Sequence, residues 1–343
     1  MTQIATGGTS KSTIRVALVG LGAIAQTAHL PVLSKMRGIS VVALCDNDRL
    51  KARALAQRFG VDNTYTDIDD LLETEQLDAV VIATPSHAHE PHVLSALRAG
   101  LHVICERPFA LTGKGVERIL AAAKKAGRMV FVANNHRFRL DAQALHAFVH
   151  GGELGKVYAV RAGEYRTPGA IAPWRLRRGE SGGGAFMHLG LPLLDLAGWI
   201  AGFSEPLRAS ATMTRGRGAS AVEDSLFVFA ELANGFNVTI DVNWAYPGGE
   251  DRWWFEVLGT EGSARMAPLR VTKLIHGKPI DVSPSGALQR ETPLLQSYRA
   301  EFAHVLAVLR GEAAYKAPDD QVLIYYALEE IYKAAETGRE FRA

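Results

Sequence analysis

One apolar segment in the middle of the chain carries a histidine, a proline and an aspartate. It reads Gly182-Gly183-Gly184-Ala185-Phe186-Met187-His188-Leu189-Gly190-Leu191-Pro192-Leu193-Leu194-Asp195. The imidazole of His188 changes its charge near neutral pH and can therefore act as a general acid or base. At helical spacing, positions 188, 192 and 195 fall on one face, so we expect His188 and Asp195 to face a common site.

Pro192 must disturb any helix that runs through this segment. It lacks the N–H that would bond the carbonyl of His188 in a continuous helix. Either the helix kinks at the proline, or it begins near Gly190 with Pro192 in its first turn. Both alternatives free the backbone around the histidine and could turn its ring toward a cleft.

A glycine-rich turn near the start of the chain has the spacing of a dinucleotide-binding loop. Its residues follow the pattern G-x-G-x-x-A and read Val19-Gly20-Leu21-Gly22-Ala23-Ile24-Ala25. Gly20 would permit a tight turn, and Gly22 would let the backbone approach a pyrophosphate. Ala23 and Ile24 would then begin a helix whose N–H groups point at the phosphates.

An aspartate supports NAD as the cofactor of this loop. Asp46 ends the second apolar run, where a carboxylate would accept a hydrogen bond from the ribose 2′-hydroxyl of NAD. The same charge would repel the 2′-phosphate of NADP, so NAD is favoured. Arg49 and Lys51 stand close by in the sequence, which keeps NADP as an alternative.

The residues from 14 to 135 alternate short apolar runs with amphipathic stretches. The predicted strands are Ile14–Val19, Val41–Cys45, Ala79–Ala83, Val103–Cys105 and Met129–Ala133. The predicted helices are Ala23–Met36, Asp48–Phe59, His89–Ala99 and Lys114–Ala126. Apolar runs without alternation indicate strands buried on both faces, and strand–helix repetition indicates a parallel sheet. We therefore predict a doubly wound Rossmann domain over residues 14–135, preceded by a flexible tail at residues 1–13.

The residues from 136 to 343 show a different pattern, with partial alternation of apolar and polar types. The predicted strands are Val157–Tyr165, Arg208–Met213, Ser225–Leu232, Phe236–Trp244 and Trp253–Gly259, with a hairpin at Asn234-Gly235. Two predicted helices, Leu295–Arg310 and Asp319–Thr337, close the chain. This pattern predicts an α+β domain with a large, mostly antiparallel open sheet that binds substrate and joins subunits. The overall class is α/β.

Length and composition exclude several classes of protein. The 343 residues suggest two domains, and a net charge of +2 with scattered Lys and Arg argues against nucleic acid as a partner. No apolar run reaches the ~18 residues of a membrane helix, and two cysteines are too few for a disulfide scaffold. We therefore expect a cytoplasmic protein without a membrane partner. The histidines lack H-x-x-x-H spacing with an adjacent acid, so no metal site is predicted.

Two further stretches resemble a known family. They are Ala83-Thr84-Pro85-Ser86-His87-Ala88-His89, running on to Ala99-Gly100-Leu101-His102-Val103, and Ile104-Cys105-Glu106-Arg107-Pro108-Phe109. Together with the glycine-rich turn, His29, the segment from Gly182 to Trp199 and the Tyr298–Phe302 stretch, they resemble the Gfo/Idh/MocA family of nicotinamide-dependent oxidoreductases. The resemblance covers nearly the whole chain.

The resemblance implies a cofactor site and a class of substrate. Thr84 and Pro85 would contact the nicotinamide half of the cofactor, His89 would shape the loop, and Glu106 would hydrogen-bond the nicotinamide ribose. The family has a pattern N-x-R-F where this chain reads Asn134-Asn135-His136-Arg137-Phe138, so Asn134 or Asn135 would contact cofactor or substrate. The implied activity is a dehydrogenase or reductase of a sugar, cyclitol or related polyol. The implied assembly is a homodimer or homotetramer formed through the open sheet.

The chain departs from the family pattern at three positions. The family usually reads G-G-G-x-L-x-D-x-G-x-H-x-x-D, which puts His188 in its aspartate position and Pro192 in its histidine position. Arg107 replaces the lysine of E-K-P. A proline side chain transfers no proton, and arginine stays charged because its pKa lies above about 12. Among the three, only His188 keeps a group for proton transfer, while Arg107 can hold a cofactor or substrate oxygen.

Two functions therefore stay open at this point. In the first, His188 is the acid or base, Arg107 orients the substrate, and Asp195 contributes a further contact. Trp174 and Arg175 would lie on a loop over the cleft, although a solvated basic face explains them equally well. In the second, the chain binds NAD and a small ligand without ordinary dehydrogenase activity, as a metabolite sensor or in a redox-neutral reaction.

Overall fold

The computed structural model describes residues 13–216, 222–284 and 292–343. Apart from Thr13, the tail expected at residues 1–13 lies outside these residues. The described residues form two compact units. One takes the chain up to Asn135 and again from residue 292 to Asp319, and the other takes the remainder. The expectation that residues 136–343 form one domain is therefore corrected, because residues from 292 to Asp319 return to the first unit.

The first unit is built on a six-stranded parallel sheet. Its strands are β1 (Ile14–Val19), β2 (Ile39–Cys45), β3 (Asn63–Tyr65), β4 (Ala79–Ile82), β5 (His102–Cys105) and β6 (Val130–Val132). Their order is β3-β2-β1-β4-β5-β6, and every neighbouring pair is parallel. All four residues of β4 are buried, as expected for a strand covered on both faces. This is the doubly wound Rossmann arrangement predicted above.

Helices complete the first unit. They are α1 (Leu30–Leu33), α2 (Arg49–Phe59), α3 (Ile68–Thr74), α4 (His89–Arg98) and α5 (Gly113–Ala126), and α9 (Pro293–Leu309) comes from the returning segment. The long first helix expected up to Met36 is shortened, because Pro31 lies in the first turn of α1 and a π-helical turn, Ala25–His29, precedes it. On α9, Tyr298 and Phe302 lie in the same buried core as Leu18, which explains why this helix belongs here.

The second unit contains a nine-stranded sheet. Its strands are β7 (Val157–Tyr165), β8 (Pro206–Thr214), β9 (Ser225–Leu232), β10 (Asn237–Asn243), β11 (Arg252–Gly259), β12 (Gly262–Arg265), β13 (Arg270–Ile275), β14 (Lys278–Asp281) and β15 (Phe341–Arg342). The order is β14-β13-β12-β11-β7-β10-β9-β8-β15. Only the β7–β10 pair is parallel among the pairings described. The predicted hairpin joins β9 to β10, and its Gly235 has a φ of +77°.

The two faces of this sheet differ in burial. Along β10, Val238, Ile240 and Val242 are buried, while the residues between them are half-buried. The helices of the unit are α6 (Leu140–His150), α7 (Arg178–Ser181), α8 (Leu191–Ala201) and α10 (Asp320–Thr337), and both α8 and α10 contact the sheet. The sheet therefore buries one face and leaves the other open, as alternating strands do.

One helical stretch of the second unit, Arg178–Ala201, is long and apolar enough to cross a membrane by length and composition. Its most apolar window is 78% buried inside the protein. That burial is typical of a core helix. This stretch includes His188.

Candidate active site

Gly20 lies where the first sheet reverses its strand order, between β2 on one side of β1 and β4 on the other. Its φ of +90° lies in the region that favours glycine. A Cβ atom there would lie 2.5 Å from the carbonyl carbon and oxygen of Ala83 and 2.6 Å from the amide nitrogen of Thr84. Only glycine fits, and the turn lies at the edge where doubly wound sheets bind ligands.

The backbone of Gly22 faces open space instead. No atom of the described chain lies within 4 Å of the position that a Cβ atom would take there. Ala23 and Ile24 lead from Gly22 into the first helical turn, whose start no described side chain caps. Uncapped N–H groups at a helix start bind anions, so this edge fits the pyrophosphate of a dinucleotide.

Asp46 stands beside this turn at the end of β2. Its Oδ2 accepts the N–H of Leu21 at 2.8 Å, and its Oδ1 accepts the N–H of Asp48 at 2.9 Å and the Nζ of Lys51 at 2.8 Å. Burial would raise the pKa of Asp46, but these hydrogen bonds together outweigh it and lower the pKa. The carboxylate is therefore ionised and oriented, as recognition of a ribose hydroxyl requires.

His89 connects the loop after β4 to the loop after β5. The ring is buried, with Nδ1 2.6 Å from the carbonyl oxygen of Pro108 and Nε2 2.8 Å from that of Thr84. Burial lowers the pKa of His89, against the opposing effect of the two carbonyls. Thr84 and Pro85 are themselves half-buried just after β4. His89 therefore holds the loop from behind, through Thr84, rather than presenting its own ring to a ligand.

Glu106 places a buried negative charge at the end of β5. Its Oε1 accepts the hydroxyl of Tyr298 at 2.5 Å and lies 3.0 Å from Nε2 of His29, while its Oε2 accepts the N–H of Arg107 at 3.0 Å. Burial alone would raise the pKa of Glu106, but His29, Arg107 and Tyr298 outweigh it and lower the pKa to about 2. The carboxylate is thus ionised at neutral pH and fixed from three sides.

The guanidinium of Arg107 is oriented by the end of β6. Its Nε donates to the carbonyl of Ala133 at 3.1 Å, and its Nη2 donates to Oδ1 of Asn135 at 3.0 Å. Asn135 in turn donates to the hydroxyl of Ser297 at 3.0 Å. Asn134, the predicted contact, is buried next to it. The structure thus brings the predicted cofactor residues of the first unit to the carboxyl ends of its strands.

The helix that carries His188 settles the alternative left open by Pro192. Residues Phe186–Gly190 form a π-helical turn, in which the N–H of Leu191 bonds the carbonyl of Phe186. The α-helix α8 begins at Leu191, with Pro192 in its first turn. The wider π-helical turn therefore accommodates the hydrogen bond that the proline cannot make. π-helical turns inside longer helices are frequently found at functional sites.

Two tryptophans surround the imidazole of His188. The Trp174 ring meets it edge-on, with centroids 5.6 Å apart, and the Trp244 ring lies nearly parallel to it, 20° off plane and 6.0 Å away. Arg175 places its guanidinium 5.4 Å from the centroid of the Trp174 ring. Trp174 and His188 are thus in contact and half-buried, while Arg175 is exposed beside Trp174.

Steric constraints explain why three glycines precede His188. Gly182 ends α7 with a φ of +79°. A Cβ on Gly183 would lie 2.0 Å from the hydroxyl oxygen of Tyr332, and one on Gly184 would lie 2.0 Å from the carbonyl oxygen of Glu223. The glycines allow these two residues to reach the start of the π-helical turn. They do not form a phosphate loop.

Asp195 is held by an arginine and a glutamine. Arg137 donates through Nε to Oδ2 at 2.8 Å and through Nη2 to Oδ1 at 2.5 Å, and Gln321 donates to Oδ1 at 2.8 Å. Burial would lower the pKa of Arg137, but Asp195 and Asp320 outweigh it and raise the pKa. The contacts with Arg137 and Gln321 fix the carboxylate of Asp195, and the expectation that it shares a site with His188 stays a prediction.

Sequence reasoning missed four residues around His188, namely Glu223, Asp224, Trp244 and Tyr332. They come from the approach to β9, the end of β10 and helix α10. No spacing pattern links them to residue 188, since they meet it only through tertiary folding. The adjacent acids in an otherwise apolar run before β9 are the one signal that could have drawn attention to them.

Both parts of the chain are similar to known proteins. Residues 14–134 match the GFO/IDH/MocA oxidoreductase family with its NAD-binding Rossmann fold, and residues 142–265 match the GFO/IDH/MocA C-terminal domain. The chain is 28% identical over 351 residues to the D-glucoside 3-dehydrogenase of Escherichia coli K12, covering 96% of this chain and 97% of that protein. It is 30% identical over 254 residues to the D-apiose dehydrogenase of Paraburkholderia graminis, covering 73% and 67%.

A solved structure extends this similarity to the fold. GenD2 from gentamicin A biosynthesis, in complex with NAD, is 29% identical with a TM-score of 0.83, and the match covers 98% of each chain. The identity and the coverage are high enough that the likeness concerns sequence as well as fold.

Replacing Gly20 or Gly22 by alanine should have different effects on the protein. We expect Gly20→Ala to destabilise the protein by roughly 2 kcal/mol or more, because the backbone is strained and the new methyl meets Ala83. Gly22→Ala should fold normally yet bind NAD at least about tenfold more weakly, a loss of about 1.4 kcal/mol. Urea unfolding and calorimetric titration measure the two effects. Wild-type NAD affinity in Gly22→Ala would contradict the assignment of this turn.

Proposed function

The chain belongs to the Gfo/Idh/MocA family of oxidoreductases, and we propose that it interconverts a carbinol and a carbonyl of a sugar, cyclitol or related polyol, using NAD. The observation that carries this proposal is the imidazole of His188, half-buried between the rings of Trp174 and Trp244. Aromatic faces with few polar groups are typical of sites for small ligands. Relatives named as D-glucoside and D-apiose dehydrogenases support the substrate class.

The first unit would hold the cofactor with its own backbone and carboxylates. The turn at Gly20 and Gly22 would receive the pyrophosphate, and Asp46 would accept a ribose hydroxyl. Thr84 and Pro85 would line the nicotinamide half, and Glu106 would accept from its ribose. Bound NAD supplies the hydride acceptor of the reaction.

His188 would move the proton. Oxidation of a carbinol releases a hydroxyl proton while hydride leaves carbon, so a base must accept that proton. The neutral imidazole of His188 can do this, and in the reductive direction the imidazolium can return it. Trp174 and Arg175, which contact this ring or its neighbour, would contribute substrate contacts.

Arg107 would act on charge rather than on protons. Because its guanidinium is always charged, it can polarise a substrate or cofactor oxygen but cannot serve as the base. Its hydrogen bonds to Ala133 and Asn135 fix its plane in advance. Such preorganised donors stabilise developing negative charge without a reorganisation cost.

The redox function is favoured over a non-redox use of the cofactor. The relatives reported above are named as dehydrogenases. A sensor would also have no need of a titratable ring between two tryptophan rings. The altered positions in this chain still leave His188 as a proton-transfer group, which is all that carbinol oxidation demands of the protein beyond binding.

Lys51 would reduce the difference in affinity between NAD and NADP. Its Nζ lies 2.8 Å from Oδ1 of Asp46, so the charge that would repel a 2′-phosphate is partly neutralised. When a 2′-phosphate is present, the same ammonium could turn to it. We propose NAD as the preferred cofactor and NADP as a weaker one.

The open sheet face would join subunits, as a homodimer or homotetramer. Phe227 on β9 and Leu274 on β13 are 43% and 51% exposed, which is unusual for large apolar side chains of a sheet.

A cytoplasmic location is proposed from the two cysteines, Cys45 and Cys105, which are buried and free, and cell fractionation tests it.

Replacing the proposed base should abolish turnover without loosening the cofactor. We expect His188→Ala to lower kcat/KM by about 10²- to 10⁴-fold, the usual contribution of general base catalysis. Its NAD affinity should match that of the wild type. Formation of reduced nicotinamide with a panel of polyols and sugars measures the rate. His150→Ala, an exposed histidine on α6, is the control; equal losses in both variants would refute the role of His188.

Removing the ammonium of Lys51 should sharpen cofactor choice. Lys51→Ala is expected to weaken NADP binding by roughly fivefold or more and to leave NAD binding nearly unchanged, because the repulsion by Asp46 is then unscreened. Calorimetric titration with each dinucleotide measures both affinities. Arg49→Ala is the matched control, since it removes the other nearby cation. If that variant, and not Lys51→Ala, lost NADP affinity, the assignment to Lys51 would be wrong.

The assembly should depend on the open sheet face. Light scattering of the wild-type protein is expected to give two or four times the chain mass of 37.1 kDa. Phe227→Asp should shift the protein toward monomer, because a charge then interrupts the apolar contact. Leu50→Asp, which alters an exposed apolar residue of the first unit, should not. A monomeric wild-type protein at micromolar concentration would rule this assembly out.

A further inference from the structure

Two adjacent buried acids, Glu223 and Asp224, reach the segment of His188 by different routes. They are only 2% and 5% exposed and precede strand β9. Buried carboxylates are costly unless they are hydrogen-bonded, so each should have a defined partner set. Those partners are the backbone before His188 in one case and the ring stacked on His188 in the other.

Glu223 holds the backbone of the π-helical turn. Its carboxylate accepts the N–H of Gly184 and of Phe186, both at 2.9 Å, and its carbonyl accepts the N–H of Ala185 at 2.9 Å. The hydroxyl of Tyr332 donates to the same carboxylate at 2.9 Å. A negative charge at a helix start also stabilises the helix dipole. Glu223 thus fixes where the π-helical turn that carries His188 begins.

Asp224 holds the ring of Trp244. Its Oδ1 accepts the indole Nε1–H at 2.6 Å, and its carbonyl accepts the backbone N–H of Trp244 at 3.0 Å. The pairing of Ser225 with Asn243 between β9 and β10 places the two residues opposite one another. Its Oδ2 accepts the N–H of Gly216 at 2.9 Å, so both carboxylate oxygens are engaged. The indole therefore has one orientation, nearly parallel to the His188 imidazole.

We propose that Asp224 and Trp244 are positioning residues for His188, which fix the plane of its imidazole and favour its protonated form through the indole ring. An indole N–H bonded to a carboxylate is more electron-rich than a free one, since charge-assisted hydrogen bonds are strong and polarise their partners. An electron-rich aromatic face attracts a cation. This role rests on the proposed function, in which His188 carries the proton.

Other charged groups near the ring act differently. Glu223 and the hydroxyl of Tyr332 are bound to the backbone before His188, and Arg175 lies over the opposite tryptophan, Trp174. The carboxylate of Asp224, by contrast, is bound to the indole of Trp244 itself. A substitution at Asp224 therefore changes the charge behind one ring while the other groups stay in place.

The test uses the titration of His188 in the full-length protein, followed by NMR of its imidazole C–H signal and assigned by its loss in His188→Asn. We expect Asp224→Asn to lower the pKa of His188 by roughly half a unit or more, because the carboxylate charge behind the indole is gone. The acid limb of the kcat/KM profile for oxidation should move to lower pH by the same amount. Trp244→Phe, which keeps an aromatic ring but no N–H, should lower the pKa similarly.

The double variant distinguishes a chain of contacts from two separate effects. If Asp224 acts through the indole, adding Asp224→Asn to Trp244→Phe should shift the pKa of His188 no further. Additive shifts, or no shift in either folded single variant, would overturn the proposal. Glu75→Gln is the control, because it removes a carboxylate bonded to an aromatic donor, Tyr65, in the first unit. A large shift in that variant would mean that the effect is not specific to Asp224.

The titration needs neither substrate nor cofactor. A shift in the pKa of His188 without turnover on any polyol would leave this inference standing and refute the proposed function. Turnover that depends on His188, with an unchanged pKa in Asp224→Asn, would refute the inference alone. Trp244→Phe keeps the measurement available if the loss of the buried Asp224 charge prevents folding.

Discussion

Proline has no backbone N–H, and this constraint determines the form of one helix in each unit. Pro31 and Pro192 each lie in the first turn of a helix, and a π-helical turn precedes each one. Each turn carries a histidine, His29 in the first unit and His188 in the second. A proline in the interior of an α-helix would break its hydrogen bonds, whereas here the wider turn absorbs the interruption. The cost of that irregular backbone has to be met by neighbouring groups.

Buried glutamates supply that support in both units. Glu106 lies against His29, and Glu223 accepts the backbone N–H groups that lead to His188. A tyrosine hydroxyl donates to each of them, Tyr298 to Glu106 and Tyr332 to Glu223. Burial first, and then the adjacent carboxylate, raises the pKa of both tyrosines well above the usual value, so they stay protonated donors. Satisfying every lone pair is what makes a buried charge tolerable.

The fold was largely readable from the sequence, whereas the surroundings of His188 were not. Long apolar runs predicted strands β1, β2, β4 and β5 because burial on both faces leaves a continuous signal. The strand β3 was missed, since it has three residues and its side chains are partly exposed. The contacts of Asp195 with Arg137 and Gln321 were not predicted, because those residues lie far from it along the chain. Trp244 and Glu223 lie far from His188 along the chain, and no local pattern encodes their contacts with its segment.

The return of helix α9 to the first unit has a consequence for biosynthesis. Tyr298 and Phe302 complete a core that begins with β1, and Tyr298 donates to Glu106. A nascent chain that has reached only Asn135 therefore exposes the apolar surface that α9 covers and leaves the carboxylate of Glu106 without that donor. The nucleotide-binding unit begins the chain, but it is complete only when α9, near the end of the chain, has been added. Its maturation on the ribosome must await translation of helix α9, which follows strand β14.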